Sequence, residues 1–435
     1  MADIPDRLKN LLKSHDVMTG AEWQSQAQKL EQQRAAGDFE INHIVPGEII
    51  GNEEEGGFYL VRTDFSLDTP HGEVTLGEGL DVTPEHIAFS ACDSELEAFD
   101  PRTTVFMDTE TTGLAGGAGT VPFLIGLGYY EGDAFRLDQC FMRDFDDEEP
   151  MLAYLAPLLG RFDTVVSYNG KSFDMPLLRA RFIQNRIPFR LDSACHFDLV
   201  HAARRFWKGR LGDCSLGNVE RSVLGIHRHG DVPSSEIPQI WFDYLRTRDA
   251  RRLEAVFYHH RMDILSLVAL TALLSRNLDL PNGQGFEHAT DRFSLLRIHF
   301  RQKRYEDVTR LAQDLLDTET DPFIRRESLE MLALAHKRRQ RFLDMEQAWE
   351  TLLDEFPRHL LARLELAKHH EHRTRNLLRA EQICRDAVEF LETKSALQQA
   401  FPLEMPEMDG FKRRLDRIRR KMTQGRNNSQ DPDSD

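Results

Sequence analysis

The sequence predicts an α/β domain built on a mixed sheet flanked by helices, followed by an all-α domain of helical repeats. Three observations carry that expectation. Between Thr103 and Asn277, short apolar runs that suit buried strands alternate with stretches of helical periodicity. From Phe293 onward strand signals stop and helices recur at a steady interval. The chain has 435 residues, 40% hydrophobic and 29% charged, enough apolar material for about two or three domains with proper cores.

Taken in order, residues 1–100 form an acidic segment. Two helical stretches (RLKNLLK and AEWQSQAQKLEQQRA) fall within residues 5–35, and Gly37-Asp38 ends them. From Gly47 to Thr75, alternating apolar runs broken by Gly, Asn and Pro read as a β-rich stretch of two or three strands, with Glu53–Glu55 as a solvated turn. Residues 1–100 hold 6 Lys and Arg against 21 Asp and Glu, so they carry −15 of the total charge of −17. The remainder is nearly neutral, with basic clusters at Arg179–Arg190, Arg204–Arg210 and Lys412–Arg426. The overall acidity therefore does not exclude a nucleic-acid partner. No chemistry can be assigned to residues 1–100, although their charge suits shielding of a basic groove. No apolar run approaches a membrane span and the N-terminus lacks a secretory apolar region, so no membrane partner and a cytoplasmic location are expected. The five cysteines are scattered without a CxxC pair, which suggests neither a disulfide framework nor a zinc ribbon.

The α/β domain is expected over residues 101–278. VFMDTE, PFLIGLGYYE, AFRLDQCFMRD and FDTVVSYNG read as four strands, and a glycine-rich GGAG run connects the first two. That run lacks the Lys-Ser/Thr of a phosphate loop, so a turn is the better reading. Helical patterns follow in EEPMLAYLAPLLGRF, DMPLLRARFIQNR, FDLVHAARRFW, CSLGNVERSVLG and ARRLEAVFYHHRMDILSLVALTALLSRNL. Helical repeats are expected over residues 290–422. Their anchors Tyr305, Phe342 and Leu377 lie 37 and 35 residues apart, close to the roughly 34-residue tetratricopeptide period. FKRRLDRIRRKM suits a polar cap with a basic face, and residues 423–435 read as a disordered tail.

The chemistry concentrates in a few acids. Asp108 and Glu110 are two apart on the first strand of this domain, so both carboxylates share one face. Neighbouring acids raise each other's pKa unless a cation sits between them, and hard oxygen ligands suit a divalent ion. Asp174 stands where a strand end passes into a helix, and His259 and Asp263 share one face of the last helix at spacing four. Each alone has an ordinary explanation: a solvated acidic pair, a helix N-cap, a surface His–Asp pair.

Together, Asp108-x-Glu110, Asn169-x3-Phe173-Asp174 and His259-x3-Asp263 resemble the three motifs of the DEDD (RNase H-like, DnaQ-like) 3′–5′ exonuclease superfamily. With DTETTGLAGGAGT, SYNGKSFDMPLLRARF, DLVHAARRFW and CSLGNVE, the chain looks like the bacterial YprB family of RNase H-like exonucleases over residues 45–275, and like its helical tail by architecture. The resemblance implies an RNase H-like sheet and four metal ligands, Asp108, Glu110, Asp174 and Asp263, holding two Mg²⁺ or Mn²⁺ ions. It also implies His259 as general base, with Thr111, Asn169 and Phe173 placing the substrate. In the superfamily a histidine usually precedes the last aspartate by five positions and a tyrosine by four; here Tyr258 is five back and His259 four back, and His260 is a second candidate base. Phe173 suits core packing equally well, and Asp198 reads as structural.

The expected activity is metal-dependent 3′–5′ exonucleolytic hydrolysis of DNA or RNA at single-stranded or frayed 3′ ends. A protein partner could dock on the helical repeats. Alternatives are a nucleic-acid-binding scaffold, which has no need of four mutually repelling acids, and a structure-specific RNase H-like endonuclease, which the Asn-Phe-Asp motif disfavours.

Overall fold

A computed structural model describes residues 39–52, 56–113, 119–397 and 405–427. The helices expected in residues 5–35, the Glu53–Glu55 turn, most of the GGAG run and the tail beyond Asn427 lie outside the described residues. The chain divides into two compact units between Pro281 and Asn282.

In the first unit, β1 (Glu48–Asn52), β2 (Gly56–Ser66), β5 (Thr104–Thr111), β6 (Pro122–Glu131), β7 (Ala134–Phe141), β8 (Thr164–Ser167) and β9 (Cys195–Asp198) form one seven-stranded sheet in the order β1-β2-β7-β6-β5-β8-β9. A separate ribbon pairs β3 (Pro70–His71) with β4 (Val74–Thr75). Pairings from β1 to β5 are antiparallel, and β8 and β9 join β5 in parallel. This is the mixed sheet expected from sequence, and the β-rich stretch before residue 100 extends it through β2 and β7. The strand β9 was not anticipated. Its four residues, CHFD, are too short and too polar to stand out, and they are held by register with β8.

The helices of eight residues or more in this unit are α1 (Pro84–Ala91), α2 (Glu148–Leu159), α3 (Asp174–Gln184), α4 (Leu199–Phe206), α5 (Ile237–Thr247) and α6 (Leu253–Asp279). They cover both faces of the sheet. Successive residues on β7 show why both faces must be covered, since side chains alternate along a strand. Asp138 meets Arg62 at 2.7 Å and Tyr129 and, more loosely, Tyr154 of α2 on one side. Gln139 donates to the Phe257 carbonyl of α6 at 3.0 Å on the other. From Ile264 to Ser275 every residue of α6 is buried, because this stretch lies between the sheet and α1.

The second unit is wholly helical among its described residues: α7 (Ala289–Arg301), α8 (Tyr305–Thr318), α9 (Pro322–Arg338), α10 (Phe342–Glu355), α11 (Leu360–His372), α12 (Leu377–Ala396) and α13 (Met405–Asn427). Each packs on the next, and α7 also reaches α9. The period read from the anchors recurs in the backbone. Lys303, Gln340 and Arg375, each two residues before an anchor, have φ of 61°, 60° and 54°. Such left-handed residues close the preceding helix: Arg304 N–H bonds the His299 carbonyl just as Arg341 N–H bonds that of His336.

Part of the basic face of α13 turns inward, while Arg413, Arg419 and Arg420 stay exposed. Arg414, Arg417 and Lys421 all bond the buried carboxylate of Glu371, at 2.5–2.7 Å. The expected disordered tail starts too early, because α13 continues through Asn427. Met422, Thr423 and Gln424 hold no helix breaker, and Thr423 bonds back to the Arg419 carbonyl. Among the described residues no helix is long and apolar enough to cross a membrane.

Candidate metal centre

The site begins with a row of three opposed residues. Asp108 on β5 pairs with Gly126 on β6, and Gly126 with Gln139 on β7. Opposed residues of antiparallel strands share a face, and this one looks at α6. His260 of α6 lies over the row: its Nε2 donates to the Asp108 carbonyl oxygen at 3.1 Å, and its Nδ1 accepts from Gln139 at 3.0 Å. Both ring nitrogens are thus taken in a fully buried site, and burial lowers the imidazole to about 4, so it stays neutral. His260 has no lone pair left for a water and acts as the spacer that sets α6 on the sheet. Gly126 makes room for it, since a Cβ there would come within 2.4 Å of His260 Cε1.

One residue earlier on the same helix, His259 is turned by about 100° from His260. Its Nε2 lies 3.4 Å from Asp263 Oδ2 and 3.8 Å from Glu110 Oε1. Glu110, His259 and Asp263 form the one group of three potential metal-ligating side chains found close together among the described residues. Asp108, two residues before Glu110, is close enough to feel Asp263, Asp174 and Glu110 electrostatically. At the end of β5 the pairing register slips between Glu110 and Thr111, a bulge that turns the chain away, and Thr111 Oγ1 bonds the Gly113 carbonyl at 3.0 Å.

The second motif approaches from β8. Asp174 is the first residue of α3, with Phe173 rather than Asp174 at the cap position, and it is buried. Thr109, between the two acids of β5, donates a short hydrogen bond to it. Asn169 adopts a left-handed φ of 68°, held because Asp198 accepts from the backbone N–H groups of Asn169 (2.7 Å) and Lys171 (3.1 Å) while also capping α4. Asp198 is thus structural, as expected, and shapes the loop that carries Asn169. Phe173 is 54% exposed, which removes the core-packing reading.

Sequence reasoning missed the side chains that support this cluster from residues 220–234. Arg228 forms short ion pairs with both Asp263 and Glu220. Glu220 in turn accepts from Ser266 at 2.5 Å, and Ser266 meets His71 at 2.8 Å. Asp231 lies 2.8 Å from His259 Nδ1. These residues sit on a π-helical turn (Glu220–Leu224) and the loop after it, where no periodicity marks them. The signal for Gly126 was present, since glycine inside an apolar strand marks a close approach.

The electrostatics describe a site short of positive charge. Asp108 and Glu110 are raised well above the usual carboxylate range, first by burial and then by Asp263 and Asp174. Asp174 is pushed up to about 6, again chiefly by burial and against the pull of its Thr109 hydrogen bond. Hard oxygen donors crowded in this way fit a divalent cation better than they fit one another. Beside them opens a cleft of about 470 Å³ lined by Ser215, Arg221, Arg228, Asp231, His259 and Asp263, among others.

Residues 105–275 match the family model of the RNase_H superfamily. The chain is also 29% identical over 332 residues to the uncharacterized protein YprB of Bacillus subtilis (strain 168), covering 75% of this chain and 76% of that protein. The sheet and its flanking helices are RNase H-like, followed by a helical domain.

Proposed function

We propose that the RNase H-like domain is a metal-dependent 3′–5′ exonuclease that hydrolyses phosphodiester bonds of single-stranded or frayed nucleic acid ends. What supports this reading is the cluster of Glu110, His259 and Asp263 at the end of β5, with Asp108 and Asp174 within electrostatic reach of it, and the raised carboxyl pKa values of Asp108, Glu110 and Asp174 express unmet demand for cations. The superfamily match supports a nuclease-type hydrolase.

In this reading the four carboxylates hold two Mg²⁺ or Mn²⁺ ions. Bound ions of this kind supply neutralisation of the charge that develops on the attacking and leaving oxygens. His259 Nε2, facing Asp263 and Glu110, takes the proton of the attacking water. Phe173, exposed at the rim, stacks on a base, while Asn169 and Thr111 fix the sugar and phosphate of the terminal nucleotide. The repeats of the second unit provide a docking surface for a protein partner, and the work is done in the cytoplasm. By this assignment the nuclease domain spans residues 101–278 and the repeats residues 290–422.

The test uses purified full-length protein and 5′-end-labelled DNA and RNA oligonucleotides with Mg²⁺, Mn²⁺ or EDTA. Stepwise shortening from the 3′ end with metal, lost in EDTA and in Asp108→Ala, is the expected result. Internal cleavage would favour an endonuclease. No metal-dependent cleavage, or equal cleavage by Asp108→Ala, overturns the assignment.

A further inference from the structure

The exonuclease reading gives no role to Asp231. Its Oδ1 lies 2.8 Å from His259 Nδ1 and also accepts the Val232 N–H at 2.9 Å, while Oδ2 lies 3.3 Å from Arg228 Nη1. An ionised carboxylate only accepts hydrogen bonds, so the proton of the short contact belongs to Nδ1. Arg228 Nη1 is 3.4 Å from that same nitrogen, a longer approach, and its donors are directed to Asp231 and to the His259 carbonyl. Nε2, on the far side of the ring, is left facing Asp263 at 3.4 Å, Glu110 at 3.8 Å and the Ser234 hydroxyl at 3.3 Å.

We infer that Asp231 is a positioning residue that fixes His259 as its Nδ1–H form and keeps the Nε2 lone pair turned toward the carboxylates, where the attacking water must stand. This rests on the exonuclease reading of the site. The arrangement follows the general logic by which a carboxylate behind a histidine selects the tautomer and orientation of a base. It differs from metal ligation, because Asp231 meets the side of the ring opposite to Glu110 and Asp263. Arg228 locks the carboxylate from behind, being itself held by the buried Glu220. A loop with no regular structure thereby gains two fixed points against α6.

The proposal is tested on the full chain with ¹⁵N-histidine labelling, using His259→Ala to assign the ring signals. The expected result is a protonated Nδ1 in the wild-type protein, with that proton lost or moved to Nε2 in Asp231→Asn and Asp231→Ala. In end-labelled assays Asp231→Asn should lower kcat about 100-fold with KM within about twofold, and in a His259→Ala background it should change kcat less than about twofold. Mn²⁺ affinity should stay within about twofold of wild type. An unprotonated Nδ1 in the wild-type protein overturns the proposal whatever the variants do. So does an equal loss of kcat with and without His259, and a fall in Mn²⁺ affinity would make Asp231 a ligand instead. Should the wild type cleave no oligonucleotide, the exonuclease reading fails, and the ring signals alone still decide whether Asp231 holds the tautomer.

Discussion

Replacing Gly126 by alanine should damage both the fold and the centre, through one contact. A Cβ at this position would lie 2.2 Å from Ile264 Cδ1, 2.4 Å from His260 Cε1 and 2.8 Å from His260 Nε2. The isoleucine methyl is the end of a flexible chain and can turn aside. The imidazole cannot, because Gln139 and the Asp108 carbonyl hold its two nitrogens. Carbon atoms pack comfortably at about 3.5–4.0 Å, so α6 must lift from the sheet by roughly 1 Å. Overpacking of this kind costs about 1–3 kcal/mol, and at roughly 2–4 °C per kcal/mol the melting temperature should fall by several degrees. The same lift carries His259 and Asp263 away from Glu110, and a misplacement of about 1 Å can cost on the order of 100-fold in rate. Thermal melting of the metal-free protein and kcat on a labelled oligonucleotide measure the two effects separately. The clash should shrink when His260 is also alanine, giving a coupling of about 1 kcal/mol or more between the two changes. A Gly126→Ala protein that melts within about 1 °C of wild type would show that α6 is not held at this distance.

Three other perturbations separate the parts of the molecule. Phe173→Ala should leave the melting temperature unchanged, since the ring is 54% exposed, yet raise KM for single strands about tenfold, the scale of one lost base–aromatic stack; an unchanged KM would remove Phe173 from the substrate path. Burial opposes ionisation of Glu371, but hydrogen bonds from Arg417 and Lys421 prevail and hold it at about 2. Glu371→Gln should therefore cost about 2–3 kcal/mol, below the figure for a fully buried pair because Arg417 and Lys421 are part-exposed; faster amide exchange throughout α13 is the check. Asp174 has its carboxyl raised from 3.8 to about 6, so the folded protein binds the extra proton between those values, and the contribution of this group to stability is lost as pH rises from 3.8 through about 6. Asp174→Asn should accordingly gain on wild type in EDTA as pH rises across that window and lose its advantage in saturating Mn²⁺; an advantage that shrinks with rising pH in EDTA would reverse the sign of the argument.

The candidate acids were legible because regular elements impose their spacing: two residues on β5 and four on α6 each fix a face without reference to anything distant. The proposed base was harder, since His259 and His260 are adjacent on one helix and differ by about 100° of rotation. That rotation sends one ring into the sheet and the other toward the loop of Asp231, and only the orientation of α6 on β5 and β6 tells them apart. The period of the second unit was readable because each turn repeats both an anchor and a left-handed residue two positions before it. Glu220, Arg228 and Asp231 were illegible for the converse reason. Their roles depend on the path of an irregular segment, which no local pattern encodes.

That segment also decides where positive charge is still needed. Arg228 is divided between Glu220 and Asp263, so Asp263 already has a cation on one oxygen, while its other oxygen faces His259. Asp174 has only the Thr109 hydroxyl and its own backbone bond in its favour. For Asp108 and Glu110, the opposing pull of Arg228 is smaller than the effects of burial and of the neighbouring acids. The shortage is therefore uneven: it falls on the β5 and α3 side, among Asp108, Glu110 and Asp174, and is relieved on the α6 side. A first divalent ion would gain most between the acids of β5 and Asp174, where it removes repulsion among three neighbouring carboxylates at once. In the two-ion reading proposed above, an ion shared with Asp263 must compete with the arginine for the same carboxylate, so the two positions should fill in that order.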